Sequence, residues 1–378
     1  MATFKSATVL PFNTLVMLYK KEGIFEGNFW FAGNALHTVV DHFLVTNQKD
    51  TDGFLKTAHK IYTNLSAKGG WWVDDYSWWG NAFMLAINNR SQLGYGDTTN
   101  DSFFQELLTD AQTCWSKINA HWRNTAYNAT ENDNSAGNSS TITGGTYNNQ
   151  PDGDDPPMSG RNSVTNEGFW MLSSSLNQYF NNKDSRYSDK AAAEQQWFKE
   201  WLGIPGGILN SDGFVLERPL GNATDPAWYW TGDQGLFMNA CQDHIRATQI
   251  AKLVIQKRVD GDGVLHEYLG FMNAERLRQF EGDYATGKGI FMRNLAILNV
   301  NTPGQPYTNF IKKNAAALIR NLGVGSQFSY NWNFDRYPDY EGRYLSSKGD
   351  PLDKLIMQAC GIDALSAAIR FSSDDEQI

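Results

Sequence analysis

One pattern constrains this chain more than any other: an apolar stripe of helical period that returns in segment after segment. Phe31/Ala32, Ala35/Leu36, Val39/Val40 and Phe43/Leu44 recur every four positions, and on a helix that spacing gathers them onto one face. Residues 5–20, 53–66 and 101–119 carry related patterns, the last through Phe103, Phe104, Leu107, Leu108, Ala111, Trp115 and Ile118. Further helices are expected from Thr165-Asn166-Glu167-Gly168 to about Phe180, at 189–201, about 236–257, about 286–299, 307–321 and 353–370. With a helix following Asp74-Asp75, the count is eleven. No βαβ rhythm and no sustained strand alternation interrupts them. Gly213-Phe214-Val215-Leu216-Glu217 is a strand-like excursion. Asp260-Gly261-Asp262-Gly263 reads as a tight turn, not a calcium loop, because Phe271 stands where a bidentate Glu belongs.

Helical hairpins in such number, each with one face to bury, pack most simply as two concentric layers. The expected fold is all-α: an (α/α)6 toroid of twelve helices, with polar and aromatic loops forming a site at one end of the inner ones. An open solenoid is the alternative, and the lack of a fixed repeat of roughly 30–45 residues counts against it. Residues 124–164 break the rhythm, being rich in Asn, Ser, Thr, Gly and Asp, with Pro156-Pro157. The helical pattern resumes unchanged beyond them. They read as a long loop within one domain spanning 1–378, either a wall or lid beside a cleft or a disordered insertion.

With 41% apolar and 13% aromatic residues the chain can fill a large core. A net charge of −9 argues against nucleic acid or an anionic membrane surface as partner and suits a neutral substrate. No run approaches the roughly 20 apolar residues of a membrane span. Cys114, Cys241 and Cys360 lie far apart, each in an apolar helical pattern, and read as core thiols. Six histidines without a paired motif give no support for metal or His-based acid–base chemistry, so neither metal nor cofactor is expected. His37 and His42 suit a polar helix face. Ala7-Thr8-Val9-Leu10 is too short for a signal core, so the chain as given shows no export signal.

Chemistry concentrates in Gly69-Gly70-Trp71-Trp72-Val73-Asp74-Asp75-Tyr76-Ser77-Trp78-Trp79-Gly80-Asn81. Aromatic faces stack against the apolar side of a pyranose, and a carboxylate pair is what glycosidic cleavage needs. Neighbouring side chains on a regular helix point apart, but Gly69-Gly70 makes an irregular helix start plausible. The competing reading is a core-aromatic helix start whose acidic first turn suits the dipole, with Asp75 capping backbone N–H groups. Trp72 and Tyr76 are the stacking candidates; Trp78 and Trp79 divide between core and cleft.

Three stretches together resemble glycoside hydrolase family 76, retaining endo-α-1,6-mannanases with an (α/α)6 barrel. They are Asp74-Asp75 before the aromatic helix Tyr76-Ser77-Trp78-Trp79, Gly232-Asp233-Gln234-Gly235-Leu236-Phe237, and Gly287-Lys288-Gly289-Ile290-Phe291-Met292-Arg293. Thr165-Asn166 before an apolar helix is a weaker fourth match. The sequence departs from the family's pattern at Val73, Tyr76, Asp233 and Gly287, where an aromatic residue, Met, Asn and Phe are usual. The resemblance implies that Asp74 is the nucleophile and Asp75 the acid, then base. It points to Asn166, Asp233, Gln234 and Lys288, beside Trp72 and Tyr76, as substrate-binding residues. For Asp233 and Gln234 sugar binding competes with helix capping, for Asn166 with forming the helix N-terminus, and for Lys288 with a solvated lysine. The implied partner is an α-linked mannose polysaccharide or oligosaccharide, met by a monomer in a secreted or periplasmic location. Alternatives are a transglycosylase of the same family type acting on mannose-containing cell-wall glycans, a non-catalytic glycan-binding toroid and, weakest, a sugar isomerase.

Overall fold

The apolar stripes become helices that differ according to layer. In the computed structural model, residues 2–22, 28–96, 101–128, 140–148, 160–220, 229–267, 274–323, 325–333 and 351–378 are described. Among them are twelve helices: α1 Phe4–Glu22, α2 Phe29–Thr46, α3 Phe54–Ser66, α4 Val73–Asn88, α5 Ser102–Asn119, α6 Ser163–Tyr179, α7 Ser185–Leu202, α8 Thr231–Ala240, α9 His244–Lys257, α10 Ala274–Val300, α11 Thr308–Arg320 and α12 Pro351–Ile369. α9 buries Ala247, Ile250, Ala251 and Val254, one stripe at i, i+3, i+4 and i+7. α2 instead buries Asn34, Thr38, Asp41 and His42 along with its apolar residues, as a helix does when it has no solvent face.

The packing order explains the difference. α2 packs on α4, α4 on α6, α6 on α8, α8 on α10, α10 on α12, and α12 returns to α2. The six even-numbered helices thus close a ring. The odd-numbered ones lie outside it, α5 against α4 and α6, α9 against α8 and α10, and α1 against α12 and α2. This is the (α/α)6 toroid, all-helical among the described residues, where pairing outside helices is limited to isolated bridges.

Two apolar clusters follow from this geometry. The larger fills the space between the layers. The smaller plugs the axis and draws on every inner helix: Phe31, Trp78, Val164, Leu236, Ile290, and Ile356 with Met357. Below the plug lies a cavity of about 10 Å³ open to a water centre, bordered by His37, Asn81, Arg293 and Asn294 among others, room for about one water. The termini meet at the seam: Thr3 bridges Gln377, and the Ile378 N–H donates to Ala2 O at 3.0 Å.

Two expectations need correction. The helix read at about 236–257 is α8 and α9. Gln242 takes a left-handed φ of 49° between them, and Asp243 caps α9 by accepting from Ile245 N and Arg246 N at 3.0 and 3.1 Å. His37 and His42 do not lie on a solvated face. His42 is buried, stacked on Phe12 and hydrogen-bonded to Ser366 Oγ at 3.0 Å, and His37 borders the axial cavity. The three cysteines are free, buried thiols.

The ring is tight where glycines allow backbones to touch. A β-carbon on Gly235 of α8 would fall 2.8 Å from Phe291 Cα of α10, and one on Gly289 of α10 2.6 Å from Cys360 Cα of α12. Main chain cannot yield as a flexible side chain can. Gly235→Ala and Gly289→Ala are each expected to destabilise the fold by about 1–3 kcal/mol, read as a lower urea midpoint with an unchanged m-value.

Candidate active site

Between α3 and α4 the chain turns through Gly69 and Gly70, both left-handed at φ 67° and 74°, a pair of conformations that side chains resist. The turn separates the next two tryptophans. Trp71 folds inward, stacked on Phe29 at 5.2 Å and donating its Nε1–H to Leu65 O at 2.7 Å. Trp72 is 43% exposed, rare for so large a ring. Asp74 and Asp75 then occupy the first turn of α4.

The two carboxyls have different surroundings. Asp75 is buried, and its Oδ2 accepts from the Trp72 N–H at 3.1 Å, an acidic side chain reaching back to its own helix start. The capping expected as a competing role for Asp75 is therefore present. Asp74 is half-buried. Its N–H donates to Asn148 Oδ1 at 3.2 Å, and its C=O accepts from Ser77 Oγ at 2.8 Å. Burial, then the charge of Glu217, push the Asp74 carboxyl up to about 7, while hydrogen bonds from Asn148 and the local backbone pull it partly back.

Beyond Asp74 lies a group of carboxyls that sequence reasoning did not assemble. Glu217 ends the small hairpin in which Leu209 bridges Val215. Its Oε1 accepts from Asn162 Nδ2 at 3.1 Å. Asp233, in the first turn of α8, is fully buried, its two oxygens meet no donor among the described residues, and burial and the nearby carboxyls raise it well above the usual range. Glu167 of α6 is also fully buried and raised by burial and by Glu217; neither of its oxygens meets a donor among the described residues.

The other expected binding residues are engaged elsewhere. Asn166 donates to Thr146 O and Asn162 O at 3.1 and 2.7 Å and accepts from Thr146 N at 2.6 Å. Gln234 accepts from Val215 N and donates to Val215 O, both at 2.8 Å, and donates to Trp230 O at 3.1 Å. Each is a fully used carboxamide that holds a loop to an inner helix. Lys288 is neither solvated nor open to a cleft: buried, it donates to Tyr330 O and its Nζ lies 4.6 and 4.7 Å from the Tyr330 and Trp332 ring centres. Tyr76, expected as a stacking platform, is 3% exposed and edge-on to Phe29, in the interlayer core. Trp79 is core, donating to Phe29 O at 2.7 Å, and Trp78 belongs to the axial plug.

The structure thus gathers Trp72, Asp74 and Asp75 at one helix start, and the charge of Glu217 raises both Asp74 and Asp233. Glu217 and Asn148 were missed. The available signals were an acid closing the strand-like run 213–217 and an Asn in an Asn-rich loop.

No protein-family model matches the sequence, and no curated protein matches it. Solved structures do. An inactive variant of an α-1,6-mannanase of family GH76 from a Salegentibacter species, with two adjacent aspartates replaced by alanine and α-1,6-mannotetrose bound, superposes at TM-score 0.68. It has 18% identity over 98% of this chain and 100% of that one. A Listeria innocua protein matches at TM-score 0.67, 18% identity, over 98% of both chains. A family 76 glycoside hydrolase from a bovine Bacteroides thetaiotaomicron strain matches at TM-score 0.59 and 12% identity, over 92% of this chain and 70% of that. The chain has the fold of the family 76 glycoside hydrolases.

The raised Asp74 carboxyl has a consequence for stability. Its ordinary value is 3.8 and its folded value about 7. Between them the folded chain holds a proton that the unfolded chain has released, so stability is lost as pH rises across that window. Asp74→Asn removes this loss. The variant should gain on the parent from about pH 4 to about pH 7 and no further above, by on the order of 1–2 kcal/mol, because partial exposure dilutes the effect. Urea midpoints of both proteins across that range test it.

Proposed function

We propose that this protein is a retaining glycoside hydrolase that cleaves α-1,6-linked mannan internally. The observation that carries the reading is the Asp74-Asp75 pair at the start of α4 beside the exposed ring of Trp72. The fold supports it, being shared with an α-1,6-mannanase inactivated by replacing two adjacent aspartates.

A mannose unit stacks its apolar face on Trp72. Ionised Asp74 attacks the anomeric carbon as the glycosidic C–O bond breaks, while Asp75 gives its proton to the departing oxygen, leaving a covalent glycosyl-enzyme. Asp75, now a carboxylate, takes a proton from water as that water attacks the same carbon; this frees the sugar and restores Asp74. Two inversions return the starting α configuration. Asp74 is half protonated at about 7, so activity should fall as pH drops through that region.

Debranched α-1,6-mannan, α-1,4-glucan and α-1,3-glucan are the discriminating substrates. Mannan alone should yield a ladder of oligosaccharides, α-anomeric when first released by NMR. Asp74→Ala and Asp75→Ala should each lower kcat/KM on the order of 10³-fold. Cleavage of a glucan but not mannan removes the substrate assignment. Full activity in either aspartate variant removes the mechanism.

A further inference from the structure

We propose that Trp30, at the start of α2, is a second sugar platform of the cleft: its open face stacks on the pyranose unit next to the one that Trp72 holds. The proposal rests on the hydrolase reading in placing the bond to be cleaved at Asp74-Asp75, and it adds how that same site holds its glycan.

Gly33 fixes the level of α2 against α4. A β-carbon there would fall 2.9 Å from Trp79 N and 3.1 Å from Trp78 Cβ, so the two inner helices touch at Trp78-Trp79. They run in the same direction, because Phe29, one turn earlier on α2, meets Trp71 and Tyr76 with ring centres 5.2 Å apart in each case. One turn nearer the helix starts, then, α2 presents Phe29 and Trp30 where α4 presents Asp74 and Asp75. Phe29 turns outward and joins the interlayer core. Trp30 follows at about 100° around the helix and turns to the axis, its ring centre 4.4 Å from that of Phe31 and 5.3 Å from that of Trp78.

Phe31, Trp78, Trp230 and Tyr330, the other aromatic rings of the axial plug among the described residues, are buried; Trp30 is packed against the same cluster but only partly buried. Helical side chains lean toward the N-terminus, which for α2 is the end of the ring where α4 begins with its aspartates. The open part of the Trp30 ring therefore faces the cleft, while Trp78 supports it from beneath. A flat apolar ring held in this way is what the C–H face of a pyranose covers. An α-1,6 linkage has one more rotatable bond between its rings than a linkage to a ring carbon, so a glycan held on Trp72 alone leaves its next unit free to turn. A second platform fixes both units and the bond between them before reaction. Completing the plug, by contrast, asks for apolar volume and not for a flat ring.

Two substitutions separate these roles: Trp30→Leu keeps apolar volume and loses the flat ring, and Trp30→Phe keeps a ring. Each is made in the full-length Asp74→Asn protein, so that no substrate is consumed, and binding of α-1,6-mannotetraose and of maltotetraose is measured by titration calorimetry. Trp30→Leu should weaken mannotetraose binding roughly tenfold or more, and Trp30→Phe about threefold or less. Unchanged affinity in the leucine variant overturns the proposal, and so does an equal loss in both variants, which marks a packing role. If Trp30→Leu does not fold by circular dichroism, fluorotryptophan-labelled Asp74→Asn protein gives the second reading. The ¹⁹F signal that Trp30→Phe removes should shift on saturation with the tetraose, and a signal that stays in place overturns the proposal. Binding of maltotetraose instead of mannotetraose, with the same order of Trp30 effects, keeps the proposal and defeats the mannan assignment. Binding of neither defeats both.

Discussion

A closed ring of six helices leaves none of them a solvent face, and that constraint governs the rest of the molecule. Every polar group on an inner helix must find its partner inside, where an unmade hydrogen bond costs about 1–3 kcal/mol. The ring meets this demand with carboxamides. Asn166 and Gln234 are each the fourth residue of an inner helix, and each spends its whole side chain on the backbone of a neighbouring loop. Gln358 of α12 does the same, accepting from Phe328 N and donating to Pro11 O and Ser326 O. These side chains are spent on the scaffold, yet by pinning loops they decide where the site's own groups stand.

Carboxyls meet the same constraint differently. Asp363 pairs with Arg293 at 3.4 Å near the axis, where removing one partner would strand a buried charge. Glu167, Glu217 and Asp233 have fewer cations to draw on, and burial holds all three above the usual carboxylate range. Asp74, proposed as the nucleophile, is half-buried, and burial and the charge of Glu217 raise its carboxyl to about 7. Its chemistry is thus set by segments distant in sequence as much as by the aspartate beside it.

That distance marks the limit of what the sequence discloses. The outer helices announce themselves, because a helix with one buried face must be periodic; α9 and α3 are plain examples. The inner helices are apolar and polar all round, which hid the burial of His42 and Tyr76 and let α8 run into α9 across Cys241–Asp243. Asp74-Asp75 was legible because two acids amid tryptophans are conspicuous in any chain. Asn148 and Glu217 were not. Each comes from an aperiodic stretch whose path is set by hydrogen bonds to the start of α6, and neither partner lies close enough in sequence to suggest the other. Asn166, Gln234 and Lys288 were picked out by motif, and in the structure their side chains are hydrogen-bonded to backbone of neighbouring segments.

The seam where α12 completes the ring bears on how the chain is made. α2 finds one of its two ring neighbours in α4, close behind it, but the other is separated from it by more than three hundred residues. A ribosome adding about 5–20 residues per second reaches that partner roughly 20–70 s later. Through that interval the flank of α2 that will meet α12, with the buried Asp41 that accepts from Arg370, waits uncovered. The growing chain is an open arc with a sticky flank until α12 arrives, and aggregation and chaperone capture compete with closure throughout that interval.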